Sequence, residues 1–433
     1  MSIKHCNFNF HMIAISELLN NTAAFATNLK NRNGNPELAQ MTVDAYNNWK
    51  VSQNELDVIR QTKNQFNDKV ISLLGQEKIL AIAEMKNVSE KIKILESETK
   101  ELRENFDSLL KKIPSLTSQY TPIGKNDIDN PVVQVWGDKP VFDFEPKHYW
   151  ELLMYSKYVF QEDGVKAMGS RGFYMKGEIA RFQKILFDYA LDIIMSKDLE
   201  LMYVPLMLND KVLTGTGHLP DFDGQQYEVP FDENKSCYLI GSSEPSIMGF
   251  FMDKNVGYLS KPELVTCWSS CFRKEAGSYG KDQQGILRVH QFEKVEMVAI
   301  CKDQAQAEEY FAVFGKIEEE IYTSLGLCFR SVEVCTGDMP SKHWRQQDFE
   351  AWFPGANKFR EICSNGNASD YQNRGLRVNY KTEAGTNETP WGLNCSGITF
   401  RTGLAIMEQF QTADGRVKIP AVLVDRFKKE YLE

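Results

Sequence analysis

Three features of this 433-residue sequence predict an α+β chain in two parts: an N-terminal antiparallel helical hairpin, then a larger domain of strands and helices. The first is a stripe of apolar residues spaced by threes and fours between residues 43 and 113. The second is a Pro-, Asn- and Asp-rich stretch over residues 113–152, which reads as a linker with short strands. The third is the segment 271–300, CFRKEAGSYGKDQQGILRVHQFEKVEMVAI. Apolar–polar alternation on both sides of a flexible Gly-rich turn there predicts two adjacent antiparallel strands.

The hairpin comes first. Residues 1 to about 40 are polar, with loop-like NNTAAF and NRNGNPE, and allow short helices or a small cap. From Val43 onward, Trp49, Leu56, Ile59, Phe66, Val70 and Leu73 form a heptad-like stripe, with Lys63 in one seam position. Gly75 interrupts it. The stripe resumes as Met85, Val88, Ile92, Leu95, Thr99, Leu102, Phe106, Leu109 and Ile113, and Pro114 ends the helix. Two facing stripes joined by a short link predict an antiparallel coiled-coil arm projecting into solvent. At about 1.5 Å per residue, ~30 residues span roughly 45 Å. Such a stripe also suits dimerisation. The boundary falls near Ile113, dividing the chain into 1–113 and 114–433.

The second part carries its own pattern. GSRGFYMKG, residues 169–177, reads as a strand with Gly turns. Ile179, Phe182, Ile185, Leu186, Tyr189, Ile193 and Ile194 mark an amphipathic helix over 178–195. Residues 199–204 read as a strand ending at Pro205, and 237–239 as a short apolar strand.

Composition is that of an ordinary water-soluble protein. A net charge of −9 excludes a generic nucleic-acid binder, so any RNA contact needs a local basic surface. Nine scattered cysteines form no CxxC pair and point to reduced thiols in a cytoplasmic compartment. Cys267 and Cys271, with His290 not far along the chain, read as buried thiols rather than a metal site. No secretory signal and no membrane span are expected.

Chemistry concentrates on the two strands of 271–300. They would place Arg273, Glu275, Arg288, Phe292 and Glu296 on one surface. Arginine offers a planar fork to carboxylate or phosphate, phenylalanine a face for a base, and glutamate a partner for ammonium. The set fits an amino acid and a nucleotide held side by side. It equally fits an ordinary charged hairpin. Ser242 and Glu244 place a hydroxyl and a carboxylate on one side of a strand, which suits a substrate ammonium or a polar strand end.

The openings FRKEAG and RVHQFEKVE resemble motif 2 of the class II aminoacyl-tRNA synthetases, and within them the seryl-tRNA synthetase family. The helix 178–195, the strand and Pro205 resemble motif 1. LNCSGITFRTGL, residues 393–404, resembles motif 3 with one residue missing before Arg401. TGTGHLP, FDFEPKHYWEL, DFEAWFPG, FREICSNGN and GRVKIPAVL are similar to further family segments.

The resemblance implies a class II catalytic domain, a mainly antiparallel sheet flanked by helices, that joins L-serine to tRNA(Ser) with ATP and Mg²⁺ as a homodimer. It implies Ser242, Ser243, Glu244, Arg273, Glu296, Asn394 and Ser396 for serine. For ATP it implies Arg273, Lys274, Glu275, Arg288, Val289, Phe292, Glu361, Ile362, Cys363, Ser364 and Arg401. Glu361 and Ser364 would hold the metal, and Arg273, Glu275 and Arg401 would serve catalysis. The arm would grip tRNA(Ser), although its Lys and Arg are about balanced by Asp and Glu. That balance, Cys363 and the shortened motif 3 leave room for the first of two further readings, while retention of Arg273, Glu275, Arg288, Glu296, Glu361 and Arg401 argues against the second. One is a relative activating serine or another small amino acid for a carrier or biosynthetic pathway; the other is a catalytically inactive dimeric binding protein.

Overall fold

Apolar side chains every third or fourth residue do build two long helices. The computed structural model describes residues 11–432, apart from 71–72, 156–157, 220–223, 233–234 and 277–284. The chain forms two compact units, one ending at Leu116 and the other starting at Thr117.

In the first unit, short helices α1 (Ile15–Asn20) and α2 (Thr22–Asn31) precede the long pair α3 (Glu37–Val70) and α4 (Gly75–Leu110). Leu56, Val70, Ile92 and Phe106 are buried along the seam between the long helices. So are Thr42, Ser52 and Thr99, and the Ser52 and Thr99 hydroxyls meet across it at 2.7 Å. Trp49 stacks on Phe106 with planes 4° apart, and the Arg103 guanidinium lies 4.2 Å from the Trp49 ring. Leu73 is a correction. It lies beyond the end of α3, in the link, because the turn is made before Gly75, whose φ of +63° suits glycine.

The second unit is built on a sheet that has eight strands among the described residues. They are β1 (Val132–Trp136), β2 (Glu200–Leu201), β4 (Glu263–Phe272), β5 (Gln291–Cys301), β6 (Phe329–Glu333), β7 (Arg345–Phe353), β8 (Lys358–Asn367) and β9 (Trp391–Thr399). Their order is β1-β6-β7-β8-β9-β5-β4-β2, antiparallel except for the edge pair β2 and β4. A smaller sheet contains β3 (Lys235–Leu239). Four helices matter to the site: α5 (Glu178–Met195), α6 (Glu244–Phe251), α7 (Gln304–Ser324) and α9 (Phe400–Gln409), with the short α8 (Tyr371–Gly375) beside them.

Strand alternation divides the two faces of the large sheet. On β5, Val295, Met297 and Ala299 enter the main core with Phe182 and Leu186 of α5, Phe314 and Ile321 of α7, and Leu404 of α9. Val298 and Ile300 point the other way, against Ile247, Met248 and Phe251 of α6. Lys294 and Glu296 share that second face by the same period of two, and the cleft opens there.

Two expected strands are shorter than predicted. In 199–204 only Glu200–Leu201 pairs, in parallel with β4. In 169–177 only Tyr174–Met175 pairs, because Gly169, Arg171 and Gly177 all take positive φ. The eight described cysteines are all free thiols.

Candidate active site

The paired strands β4 and β5 set the floor of the cleft, with Cys271 opposite Phe292 and Cys267 opposite Glu296. The strands stop sooner than expected. Arg273, Glu275 and Arg288 sit in the connection rather than on the ladder, and the turn at 277–284 lies outside the described residues. Arg273 is nonetheless fixed. Its backbone N–H donates to His290 O at 3.0 Å and its Nε to Gly241 O at 3.1 Å. Its guanidinium stands 5.2 Å from the Phe292 ring centroid. Glu275 takes φ +51° and receives a hydrogen bond from Arg288 Nη1 at 3.3 Å. A non-glycine residue held in that region costs on the order of 1 kcal/mol, so the turn is set by its surroundings.

At one end of the cleft, Arg401 of α9 donates from Nη1 to the Glu361 carbonyl at 3.0 Å and to its carboxylate at 3.2 Å. Ser364 pairs with Asp348 across β8 and β7. Burial, and then the neighbouring Glu361 charge, push the Asp348 carboxyl up to about 8. Two carboxylates that repel one another beside a hydroxyl make an all-oxygen donor set, which fits a hard divalent cation.

At the other end, Ser242 and Glu244 are not on a strand. Ser242 follows β3 in a turn, and Glu244 is the first residue of α6, with its N–H donating to Ser242 Oγ at 3.2 Å. The strand reading fails because the chain bends at Gly241, directly after the ladder ends. Both side chains still reach the cleft.

Two buried lysines also enter. Lys294 Nζ contacts the Glu296 carboxylate and donates to Ser242 Oγ at 2.8 Å and Ser396 Oγ at 3.4 Å. Ser242 Oγ in turn donates to Glu296 Oε2 at 3.0 Å. Lys342 Nζ donates to both Glu244 oxygens, at 2.5 and 2.6 Å, and Gln372 Nε2 donates to Oε1 at 2.7 Å. His218 Nε2 stands 3.6 Å from Glu244; burial, then Lys342, lower the imidazole to about 3, so it is neutral at physiological pH. His343 bridges Gln346 Oε1 at 2.6 Å and Asn394 Nδ2 at 3.2 Å. Its ring lies against Gly366, where any Cβ would collide with it.

The family model of the tRNA synthetase class II core domain (G, H, P, S and T) matches residues 227–410. That of the seryl-tRNA synthetase N-terminal domain matches residues 12–117. A serine–tRNA ligase of Aliarcobacter butzleri is 39% identical over 358 residues, 82% of this chain and 82% of the relative. One of Campylobacter jejuni is 32% identical over 418 residues, 96% of this chain and 100% of the relative.

The chain belongs to the seryl-tRNA synthetase family.

Solved structures agree. The seryl-tRNA synthetase of Pyrococcus horikoshii, complexed with ATP, superposes with a TM-score of 0.88 at 27% identity, covering 97% of this chain and 99% of that one. The cytoplasmic serine–tRNA ligase of Naegleria fowleri, in complex with AMP, gives 0.83 at 27% identity, with 98% of each chain covered. The carrier-directed and inactive readings find no support among these relatives.

Of the residues expected at the site of this synthetase, Ser242, Glu244, Arg273, Glu275, Arg288, Val289, Phe292 and Glu296 line the cleft. So do Glu361, Ile362, Ser364, Asn394, Ser396 and Arg401. Ser243, Lys274 and Cys363 do not. Ser243 is fully buried. Lys274 extends toward the Tyr227 ring, 5.8 Å away. Cys363 points into the core, against Glu318 and the Ser396 carbonyl, because a bulge in β8 at Ile362 leaves Glu361 and Ser364 on the cleft side. Sequence reading missed Lys294, Lys342, His218, His343, Asp348 and Gln372. Lys294 had a signal, since it lies between Phe292 and Glu296 on the same strand face.

Proposed function

We propose a division of labour for this class II serine–tRNA ligase, in which one cleft binds serine at its buried end and ATP at its open end. The observation that carries it is the meeting of two chemistries. Arginines 273, 288 and 401 supply anion-binding forks, and Ser242, Glu244 and Glu296 supply acceptors for ammonium and hydroxyl.

Serine's carboxylate oxygen attacks the α-phosphorus of ATP, the bond to the bridging oxygen breaks, and pyrophosphate leaves. Arg273, held by Gly241 and His290, takes the carboxylate and the α-phosphate. Phe292 stacks on adenine, Glu275 and Arg288 hold the nucleotide, and Arg401 takes the γ-phosphate. No enzyme nucleophile is required, because positioning and electrostatics lower the barrier. Glu361 and Ser364, joined by Asp348, would hold Mg²⁺, which when bound offsets charge on the phosphates. The terminal hydroxyl of tRNA(Ser) then attacks the seryl carbonyl carbon, the acyl–phosphate bond breaks, and AMP leaves.

The arm of α3 and α4 binds tRNA(Ser), supported by the match of the N-terminal family model over residues 12–117. A second copy of the chain packs on the motif 1 segment that contains α5, supported by the resemblance of that helix and strand. A cytoplasmic location follows from the family's role and from the reduced thiols. Among the described residues no helix is long and apolar enough to cross a membrane.

Serine-dependent ATP–pyrophosphate exchange tests the reading. The doubly substituted Ser242→Ala/Glu244→Ala enzyme should lose exchange by at least about a hundredfold, a loss of roughly 2.7 kcal/mol. Exchange at the full parental rate would overturn the pocket assignment.

A further inference from the structure

The Glu244 carboxylate is already occupied by the protein's own cation. Glu244 and Lys342 side chains are each about 5% exposed, yet both line the cleft. Lys342 reaches in from the loop ahead of β7 and gives one hydrogen bond to each carboxylate oxygen, while Gln372 gives a third. Burial alone would raise the Glu244 carboxyl, but Lys342, then His218 and His343, hold it well below the usual carboxylate range. A carboxylate bound in this way has its charge cancelled where it stands. Lys294 does the same for Glu296, but it also holds Ser242 and Ser396, so its removal would disturb more than charge.

We infer that Lys342 is a specificity-determining residue: by neutralising Glu244 it makes the amino-acid pocket accept a hydroxyl and refuse a second ammonium. The inference rests on the reading that Glu244 faces the bound amino acid. The discriminated ligand is defined by its chemistry. L-2,3-diaminopropionate has the shape of serine with an ammonium in place of the hydroxyl. Against a bare Glu244 that group would gain a charge-assisted hydrogen bond. Against the Glu244–Lys342 pair it meets another ammonium at close range and gains nothing.

The test is ATP–pyrophosphate exchange by the full-length enzyme at neutral pH, with serine and with L-2,3-diaminopropionate as separate substrates. The readout is the ratio of their kcat/KM values. Lys342→Met should move the ratio toward diaminopropionate at least about tenfold, the effect of ~1.4 kcal/mol. Glu244→Gln/Lys342→Met should bring it back to within about threefold of the parent, since a neutral amide then stands where the neutralised pair stood. An unchanged ratio in folded Lys342→Met overturns the inference, as does a double variant that keeps the single variant's ratio.

Lys342→Met leaves a buried carboxylate without its cation and is the variant most at risk of misfolding. Glu244→Gln supplies an independent arm. With Lys342 no longer cancelled, the ratio should move about tenfold further toward serine. If Glu244→Gln alters neither the ratio nor serine kcat/KM, the reading of Glu244 as a substrate contact fails. If it alters serine kcat/KM while both ratios stay fixed, that reading stands and only the role of Lys342 falls.

Discussion

Glu318 lies fully buried under the cleft, its carboxyl against the Cys363 thiol and near Cys395. Burial pushes it from 4.5 up to about 8; the Cys363 and Cys395 hydrogen bonds oppose the rise, and the Asp348 and Glu296 charges add to it. The folded state therefore keeps a proton that the unfolded chain releases. Between about pH 4.5 and 8 stability falls as pH rises, by on the order of a few kcal/mol, and above that the cost is complete. Glu318→Gln should flatten this decline, read as a smaller loss of Tm between pH 5 and 8 than the parent shows. Glu408, raised to about 7, titrates alike in both proteins and cancels, while Asp348, raised to about 8, acts on Glu318 by charge, so the comparison reads Glu318 together with that coupling. A parental slope in the variant would show that Glu318 does not hold the proton. Gly366 is a second single-residue case. Gly366→Ala should cost about 1–3 kcal/mol in urea unfolding through overpacking against His343, and adding His343→Ala should recover most of it. Neither residue was legible in the sequence. Glu318 looks like one of three consecutive helix glutamates, and Gly366 like a turn glycine, until the fold brings Cys363 and His343 to them.

The elements were legible in proportion to how local their causes are. The stripes that make α3 and α4 are written at threes and fours, so the hairpin could be read directly. Thr99 was read into its seam, but Ser52 opposite it and their partnership were not. Ser52 and Thr99 satisfy each other at 2.7 Å in a buried position, 47 residues apart. Ser52→Ala alone should destabilise the protein by about 1–3 kcal/mol, because the Thr99 hydroxyl is left dry. Ser52→Ala/Thr99→Val should lie within about 1 kcal/mol of the parent by urea unfolding. An equal loss in both variants would mean that the hydrogen bond plays no part. In β5 the period of two foretold that Phe292 and Glu296 share a face, though Lys294 between them went unread. What it could not foretell was where pairing stops. Ser242 and Glu244 were assigned to a strand because hydroxyl and carboxylate alternate there, yet the backbone has already turned into α6.

At the scale of the molecule, the chain divides into two compact units, to which the proposed function gives separate work. The chain from Thr117 onward should keep serine-dependent exchange within about threefold of the parent. Its charging of tRNA(Ser) should fall at least about a hundredfold, as lost arm contacts remove roughly 2.7 kcal/mol. Retained charging would disconnect the arm from the tRNA. This division was visible early, since periodic helices give way at Pro114 to a linker and then to strands. The strand order β1-β6-β7-β8-β9-β5-β4-β2 was not, because it joins segments up to about 200 residues apart through packing alone. The resemblance of three short motifs supplied the mainly antiparallel sheet flanked by helices, but not the order of its strands. Lys342, His343 and Gln372 were missed because they lie outside those motifs and meet Glu244 and Asn394 only once the sheet is assembled, whereas Lys294 was missed inside motif 2.

The contact between His343 and Gly366 also constrains history. A ring at 343 and a side chain at 366 compete for the same space, so substitutions at the two positions have a favoured order. The bare backbone at 366 best precedes the imidazole. While the imidazole remains, reversion at 366 is costly. The coupling between the loop and the strand runs one way: a histidine at 343 calls for glycine at 366, whereas glycine at 366 leaves position 343 free to change.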